Sequence, residues 1–144
     1  MKPMKNNVEA VFRPGQKPPV DAAGTALKVL EGEKEKGCSL TIVFVDSAEM
    51  KSINLNYRKK AKDTDVIAFE YGRKKGRVEG DVFICLSKAR ENAAQFGCGA
   101  EEEVRRLIIH GVLHVLGYDH IDKKEEKEMN ARTKSYLKNK GGKK

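Results

Sequence analysis

The succession of hydrophobic patterns predicts an α+β fold, with a small mixed four-stranded sheet packed with about five helices. Three observations carry that expectation. Four short strand-like runs alternate with segments of helical period. One of them, Leu40–Val45, is apolar on both parities, as a strand covered on both faces must be. Two others, Val66–Phe69 and Val82–Leu86, flank the basic, glycine-containing connection Gly72–Arg77, as the arms of a hairpin do.

Taken in order, Val8–Phe12 reads as a strand closed by Arg13, Pro14 and Gly15. Pro18 and Pro19 are expected to open a helix in which Val20, Ala23, Leu27 and Leu30 recur at helical spacing. The polar run Glu31–Gly37 ends it. After the strand at Leu40–Val45, Asp46 and Glu49 form a capping-box pattern for a helix through about Asn56, with Met50, Ile53 and Tyr57 on its inner face. Beyond the hairpin, Ser87 is expected to cap a helix ended by Gly97. Glu101 opens the next, to about Leu116, with three leading acids favourably placed against its N-terminal dipole. A charged helix from about Lys123 to Leu137 turns Met129, Thr133 and Tyr136/Leu137 inward. The expected organisation is a single domain over 1–138 followed by a basic tail at 139–144.

Size and composition narrow the class. A chain of 144 residues with 39% hydrophobic and 35% charged residues has enough apolar material for one core, and its charge is of both signs. No apolar stretch approaches the roughly 20 residues of a spanning helix, and the N-terminal residues lack a signal-like apolar core. The three cysteines, Cys38, Cys85 and Cys98, form no C-x-x-C and read as reduced thiols, so a cytoplasmic location is expected. The net charge of +8 favours a polyanionic partner. Much of it lies between Lys51 and Arg77, where nine basic residues face the three acids Asp63, Asp65 and Glu70. Lys59, Lys60, Lys62, Arg73, Lys74, Lys75 and Arg77 are the candidates to follow a nucleic-acid backbone, with binding that weakens as salt rises. Tyr57 and Tyr71 are the available base-stacking platforms, or equally core and rim residues.

The histidines carry the chemistry. All three of the chain lie in His110-Gly-Val-Leu-His114-Val-Leu-Gly-Tyr-Asp-His120. A helix sets His110 and His114 on one face, close enough for both imidazoles to reach one ion at about 2.0–2.1 Å. Gly117 can end the helix in a left-handed turn and bring His120 round as a third ligand. Three neutral imidazoles with an open fourth position describe a catalytic zinc site. The spacing is that of the metzincin helix and turn, but Gly111 stands where those peptidases carry the glutamate base, which disfavours peptide hydrolysis.

This motif, H-G-V-L-H-V-L-G-Y-D-H, closely resembles the H-G-x-L-H-x-x-G-Y-D-H signature of the YbeY family of bacterial metal-dependent endoribonucleases. Asn54 and Tyr57–Arg58, followed by Thr64, Asp65, Val66, Ile67 and Phe69, resemble that family's N-x-x-Y-R…P-T-D-V-L-S-F stretch, and Gly80–Cys85 its G-D-I-x-I-C strand. The likeness spans about Leu40 to Leu137. Asp63 and Glu70 depart from the family's prolines, and Ala68 replaces its serine, removing a hydroxyl from that strand. The resemblance implies His110, His114 and His120 as ligands of one zinc ion, or another divalent metal such as nickel. It implies Arg58 and His114 as catalytic residues in a cleft of the four-stranded fold. It further implies action on single-stranded RNA, in maturing the 3′ end of 16S rRNA and in ribosome quality control on the small subunit. Tyr118 and Asp119 are candidates to hold a histidine ring or the metal's water. No membrane role is expected, and a monomer is favoured. Two other readings stay open: a non-hydrolytic, zinc-stabilised ribosome-assembly factor, and a zinc hydrolase of another substrate such as a peptide.

Overall fold

A computed structural model describes residues 5–58, 64–74, 77–118 and 123–138. Its elements are β1 (Asn7–Phe12), α1 (Ala22–Gly32), β2 (Ser39–Val45), α2 (Ser47–Arg58), β3 (Val66–Lys74), β4 (Arg77–Cys85), α3 (Leu86–Phe96), α4 (Ala100–Val115) and α5 (Lys123–Lys138). The expected α+β fold with its mixed sheet is what forms. The strand order is β1-β2-β4-β3, with β1, β2 and β4 parallel and β3 antiparallel to β4, its hairpin partner.

Alternation along the strands divides the core in two. Leu40, Ile42 and Phe44 of β2 and Val82 and Ile84 of β4 join Ala26, Leu30, Leu107, Ile108 and Val112 in the larger cluster on one face. Val43, Val45, Ile67 and Cys85 face the other way, against Met50 of α2. Leu40–Val45 is therefore covered on both faces, as its composition implies.

Local corrections have local causes. α1 begins at Ala22, after the prolines, because Asp21 is its cap and accepts from the Gly24 amide at 3.1 Å. Its buried stripe is Ala22, Ala26, Val29 and Leu30, offset from the expected phase. The box at α2 is half-formed: Asp46 accepts from the Glu49 amide at 2.8 Å, but the Glu49 carboxylate turns outward to the Arg13 guanidinium at 3.0 Å. Tyr57 is 69% exposed rather than inward, and Asn54 takes the buried position. Ser87 lies inside α3, whose N-cap is Cys85 and carries no side-chain capping bond.

The helix α4 fits the sheet through two glycines. A Cβ on Gly111 would lie 2.5 Å from a Val82 methyl, and one on Gly80 would lie 2.6 Å from a Val115 methyl and 2.7 Å from the Phe69 carbonyl oxygen. The missing side chains let α4 press onto β4, running antiparallel to it.

A buried carboxylate ties α1 to the end of the chain. Glu33, just past α1, accepts from the hydroxyls of Tyr118 (2.7 Å) and Tyr136 and from the Arg132 guanidinium (2.9 Å). Burial alone would raise this carboxyl, but the hydrogen bonds from Tyr136 and Tyr118 and the charge of Arg132 outweigh it and hold it below its ordinary range. A carboxyl depressed in the folded state stabilises above its unfolded pKa and loses that contribution as pH falls through the folded value. The Glu33→Gln variant should therefore be less stable at neutral pH, and the difference from wild type should shrink in acid. Urea midpoints at pH 7 and near pH 3 check this; a constant difference would count against it.

Candidate metal centre

The C-terminal half of the histidine helix is largely enclosed, while its first turn is exposed at Glu101 and Glu102. Of the nine residues from Leu107 to Val115, all are buried except His110 and His114, which are half-buried. Imidazoles thus occupy the only positions along that stretch with access to solvent. Their ring centroids are 6.1 Å apart and the planes tilted by 45°. That separation suits two ligands converging on a single ion. Gly111 lies between them in sequence but against Val82, so a glutamate in its place would enter the core.

After Val115 the chain reverses as the glycine predicts. Gly117 adopts φ +110°, its amide donates to the His114 carbonyl at 3.0 Å, and the Tyr118 amide donates to the Leu113 carbonyl at 3.0 Å. This pair of bonds is the Schellman arrangement, which satisfies the last carbonyls of α4 and redirects the chain. The Tyr118 ring lies beneath the Arg132 guanidinium, 5.4 Å from it, and its hydroxyl is committed to Glu33. The Tyr118 side chain is thus engaged by Glu33 and Arg132 at the turn that ends α4. Asp119 and His120 lie outside the described residues. Among the described residues, no trio of His, Cys, Asp and Glu is placed to hold an ion; two of the three expected ligands are among them.

Of the basic candidates, Lys59, Lys60, Lys62 and Lys75 lie outside the described residues, as do the side chains of Arg58, the last residue of α2, and Lys74. Arg73 pairs with Glu35 at 3.3 Å, and the Arg77 Nε donates to the Gly37 carbonyl at 3.3 Å. Both are thus held on the strand ends of the hairpin.

A second network, invisible in sequence, anchors the start of β3 to α4. Glu103, 1% exposed, receives both Nε (2.9 Å) and Nη2 (2.7 Å) of Arg106. The Asn92 amide bridges Glu103 Oε2 (3.2 Å) and Asp65 Oδ2 (3.0 Å). Asp65 also accepts the Cys85 amide on its carbonyl at 3.0 Å. Read along the chain, Glu103 is one of three acids at a helix start; only its burial distinguishes it. Ala68, the position without the family's hydroxyl, packs against the larger core.

On the opposite sheet face an aromatic corner wraps the β3 edge. Tyr57 meets Phe69 edge-on at 5.3 Å, and Phe69 meets Phe83 likewise at 5.8 Å. A β-bulge between Glu70 and Gly72 leaves Tyr71 as the extra residue, and its hydroxyl donates to Asp81 at 2.7 Å. That bond, with Asp81's charge, pushes the Tyr71 phenol up to about 12, and Tyr57 lies near enough to add to the shift.

Comparison with known proteins places this arrangement. The family model described as Endoribonuclease YbeY matches residues 19–141. A Staphylococcus carnosus protein named endoribonuclease YbeY is 41% identical, with 77% of this chain and 78% of that protein aligned. A Bacillus mycoides protein of the same name is 38% identical over 72% and 73%. The solution structure of TM1509 from Thermotoga maritima superposes with a TM-score of 0.62 at 27% identity, covering 91% of this chain and 87% of that one. With the family model spanning most of the chain and relatives near 40% identity across about three-quarters of it, the chain belongs to the YbeY family.

Proposed function

We propose that this chain is a single-strand-specific, metal-dependent endoribonuclease that acts in the cytoplasm on the 3′ end of 16S rRNA and in quality control of the small ribosomal subunit. The observation that carries the reading is the pair His110 and His114, the two half-buried positions in the otherwise buried stretch Leu107–Val115 of α4, in a chain whose relatives are named endoribonucleases. Family membership supports RNA cleavage; the histidine geometry supports dependence on a metal.

His110, His114 and His120 would hold one zinc ion, or nickel in its place, since neutral imidazoles suit both. Held there, a divalent metal would supply positive charge toward a phosphate and lower the pKa of a coordinated hydroxyl or water. Arg58 would grip the non-bridging phosphoryl oxygens, where negative charge grows in the transition state, through paired N–H donors. The Schellman bonds and the Tyr118–Glu33 bond hold the turn at Gly117 and Tyr118 that ends α4. Position 111 supplies no carboxylate base and has no room for one, which opposes a peptidase. The basic residues after Tyr57 and after Tyr71 would follow the RNA backbone.

One preparation tests the reading. Wild-type protein is assayed for metal content and for cleavage of single-stranded and duplex RNA, beside Arg58→Ala. Stoichiometric metal with cutting confined to single strands is expected. The Arg58→Ala protein should keep its metal and lose cleavage by about a hundredfold, the scale of one transition-state donor. A wild-type protein that binds RNA and metal yet cuts nothing would instead identify a non-hydrolytic assembly factor.

A further inference from the structure

Among the described residues the exposed aromatics are Phe12, Tyr57, Tyr71 and Phe96, and of these Tyr57 and Tyr71 border the same sheet face, through Phe69 and through Asp81, its partner in the ladder. Tyr57 is 69% exposed and Tyr71 60% exposed, one from the end of α2 and the other from the bulge of β3. Neither ring is loose. Tyr57 rests edge-on against Phe69, and Tyr71 is tethered by its hydroxyl to Asp81. The tether restrains the phenol and leaves much of the residue uncovered.

Position and charge indicate the occupant. Phe69 lies on β3, an edge strand of the sheet. The Tyr57 ring packs on its side chain, while its carbonyl oxygen is part of the close packing of Gly80 with Val115, the residue after His114. The aromatic corner and the end of the histidine helix therefore lie on opposite faces of the sheet at β3 and β4. In sequence, each tyrosine also heads a basic run: Tyr57 precedes Arg58, Lys59, Lys60 and Lys62, and Tyr71 precedes Arg73, Lys74, Lys75 and Arg77. An exposed, restrained ring followed by cations matches the recurring means of holding single-stranded nucleic acid, in which a base stacks on the ring and the phosphates follow the charges. Peptides lack the phosphates that such runs would engage.

We infer that Tyr57 and Tyr71 form a base-stacking platform beside the β3 edge, on the sheet face opposite α4, which seats unpaired bases of an RNA whose backbone passes round that edge toward the histidines. The inference rests on the RNA-cleaving reading above and deepens it. The platform explains selectivity for single strands physically, because a base paired in a helix cannot present its face to a ring at the protein surface.

The test measures equilibrium binding to two oligonucleotides of equal length and charge, one of ordinary single-stranded RNA and one with bases removed from its central nucleotides. The proteins are wild type, Tyr71→Ala, Tyr57→Ala and Tyr71→Phe, each with its melting curve. Each alanine variant should bind ordinary RNA about tenfold more weakly, which lies within the range for one lost stacking contact. The same variants should bind the base-free chain as wild type does, within about twofold, with an unchanged dependence on salt. Tyr71→Phe keeps the ring and should stay close to wild type. Equal losses on both oligonucleotides, or no loss on either, would overturn the platform while leaving the nuclease reading in place. A wild-type protein that binds neither oligonucleotide removes that reading, and the platform with it.

Discussion

Replacing His114 with alanine is expected to remove both stoichiometric metal and RNA cleavage while leaving the fold intact. The side chain is half-buried on the accessible stripe of α4, and its carbonyl, which accepts the Gly117 amide, remains in the variant. In the proposed site, loss of one of three imidazoles would leave too few ligands to retain an ion against solvent. The metal's contribution to charge stabilisation in such reactions is several kcal/mol, so the cleavage rate should fall by about a thousandfold or more. Metal-free forms of both proteins should melt within a few degrees of each other. Metal analysis, a cleavage time course and melting curves on one pair of preparations decide the matter. An alanine variant that still carried its metal and still cut RNA would end the histidine reading. His110→Ala should behave alike, since its ring lies 6.1 Å from that of His114 and faces the same stripe.

The second large effect is on stability. Gly80→Ala should destabilise the protein by about 3 kcal/mol, the upper part of the usual range for overpacking a core. The new methyl would meet a Val115 methyl at 2.6 Å and the Phe69 carbonyl oxygen at 2.7 Å. The second of these is backbone in the β3–β4 ladder and cannot rotate away. Gly111→Ala meets only the Val82 side chain, at 2.5 Å, and should cost less. It should also be partly restored by Val82→Ala, which opens space where the methyl enters. Denaturant unfolding of the single and double variants measures the coupling directly. Additive losses from Gly111→Ala and Val82→Ala would contradict the close packing. Because Val115 follows His114, a displaced α4 should also weaken metal binding in Gly80→Ala, an effect absent from a purely local clash.

These two glycines show how far a sequence can be read. Gly111 is legible as the departure from a peptidase motif, because a carboxylate is missing where that chemistry needs one. Its structural reason, contact with Val82, joins residues 29 positions apart and has no local signal. The four strands, five helices and hairpin were legible because alternation and helical period are local, and so was the reversal at Gly117. The phase of α1 departs from the expected one because Asp21 caps the helix three residues beyond Pro18. Tyr57 was assigned inward because its spacing from Met50 and Ile53 fits one helix face; the face runs out at Asn54, and the ring continues onto Phe69 instead.

By itself, the order of residues determined the family, the α+β class and the choice of imidazoles as candidate ligands, since all depend on pattern and chemistry within short windows. Only the tertiary structure decided that the histidines are the half-buried positions of the stretch Leu107–Val115, that Glu103 is a buried and Glu33 a partly buried hub of hydrogen bonding, and that Tyr57 and Tyr71 border one face of the sheet at β3. Those outcomes depend on burial, and burial is set by which distant elements pack together.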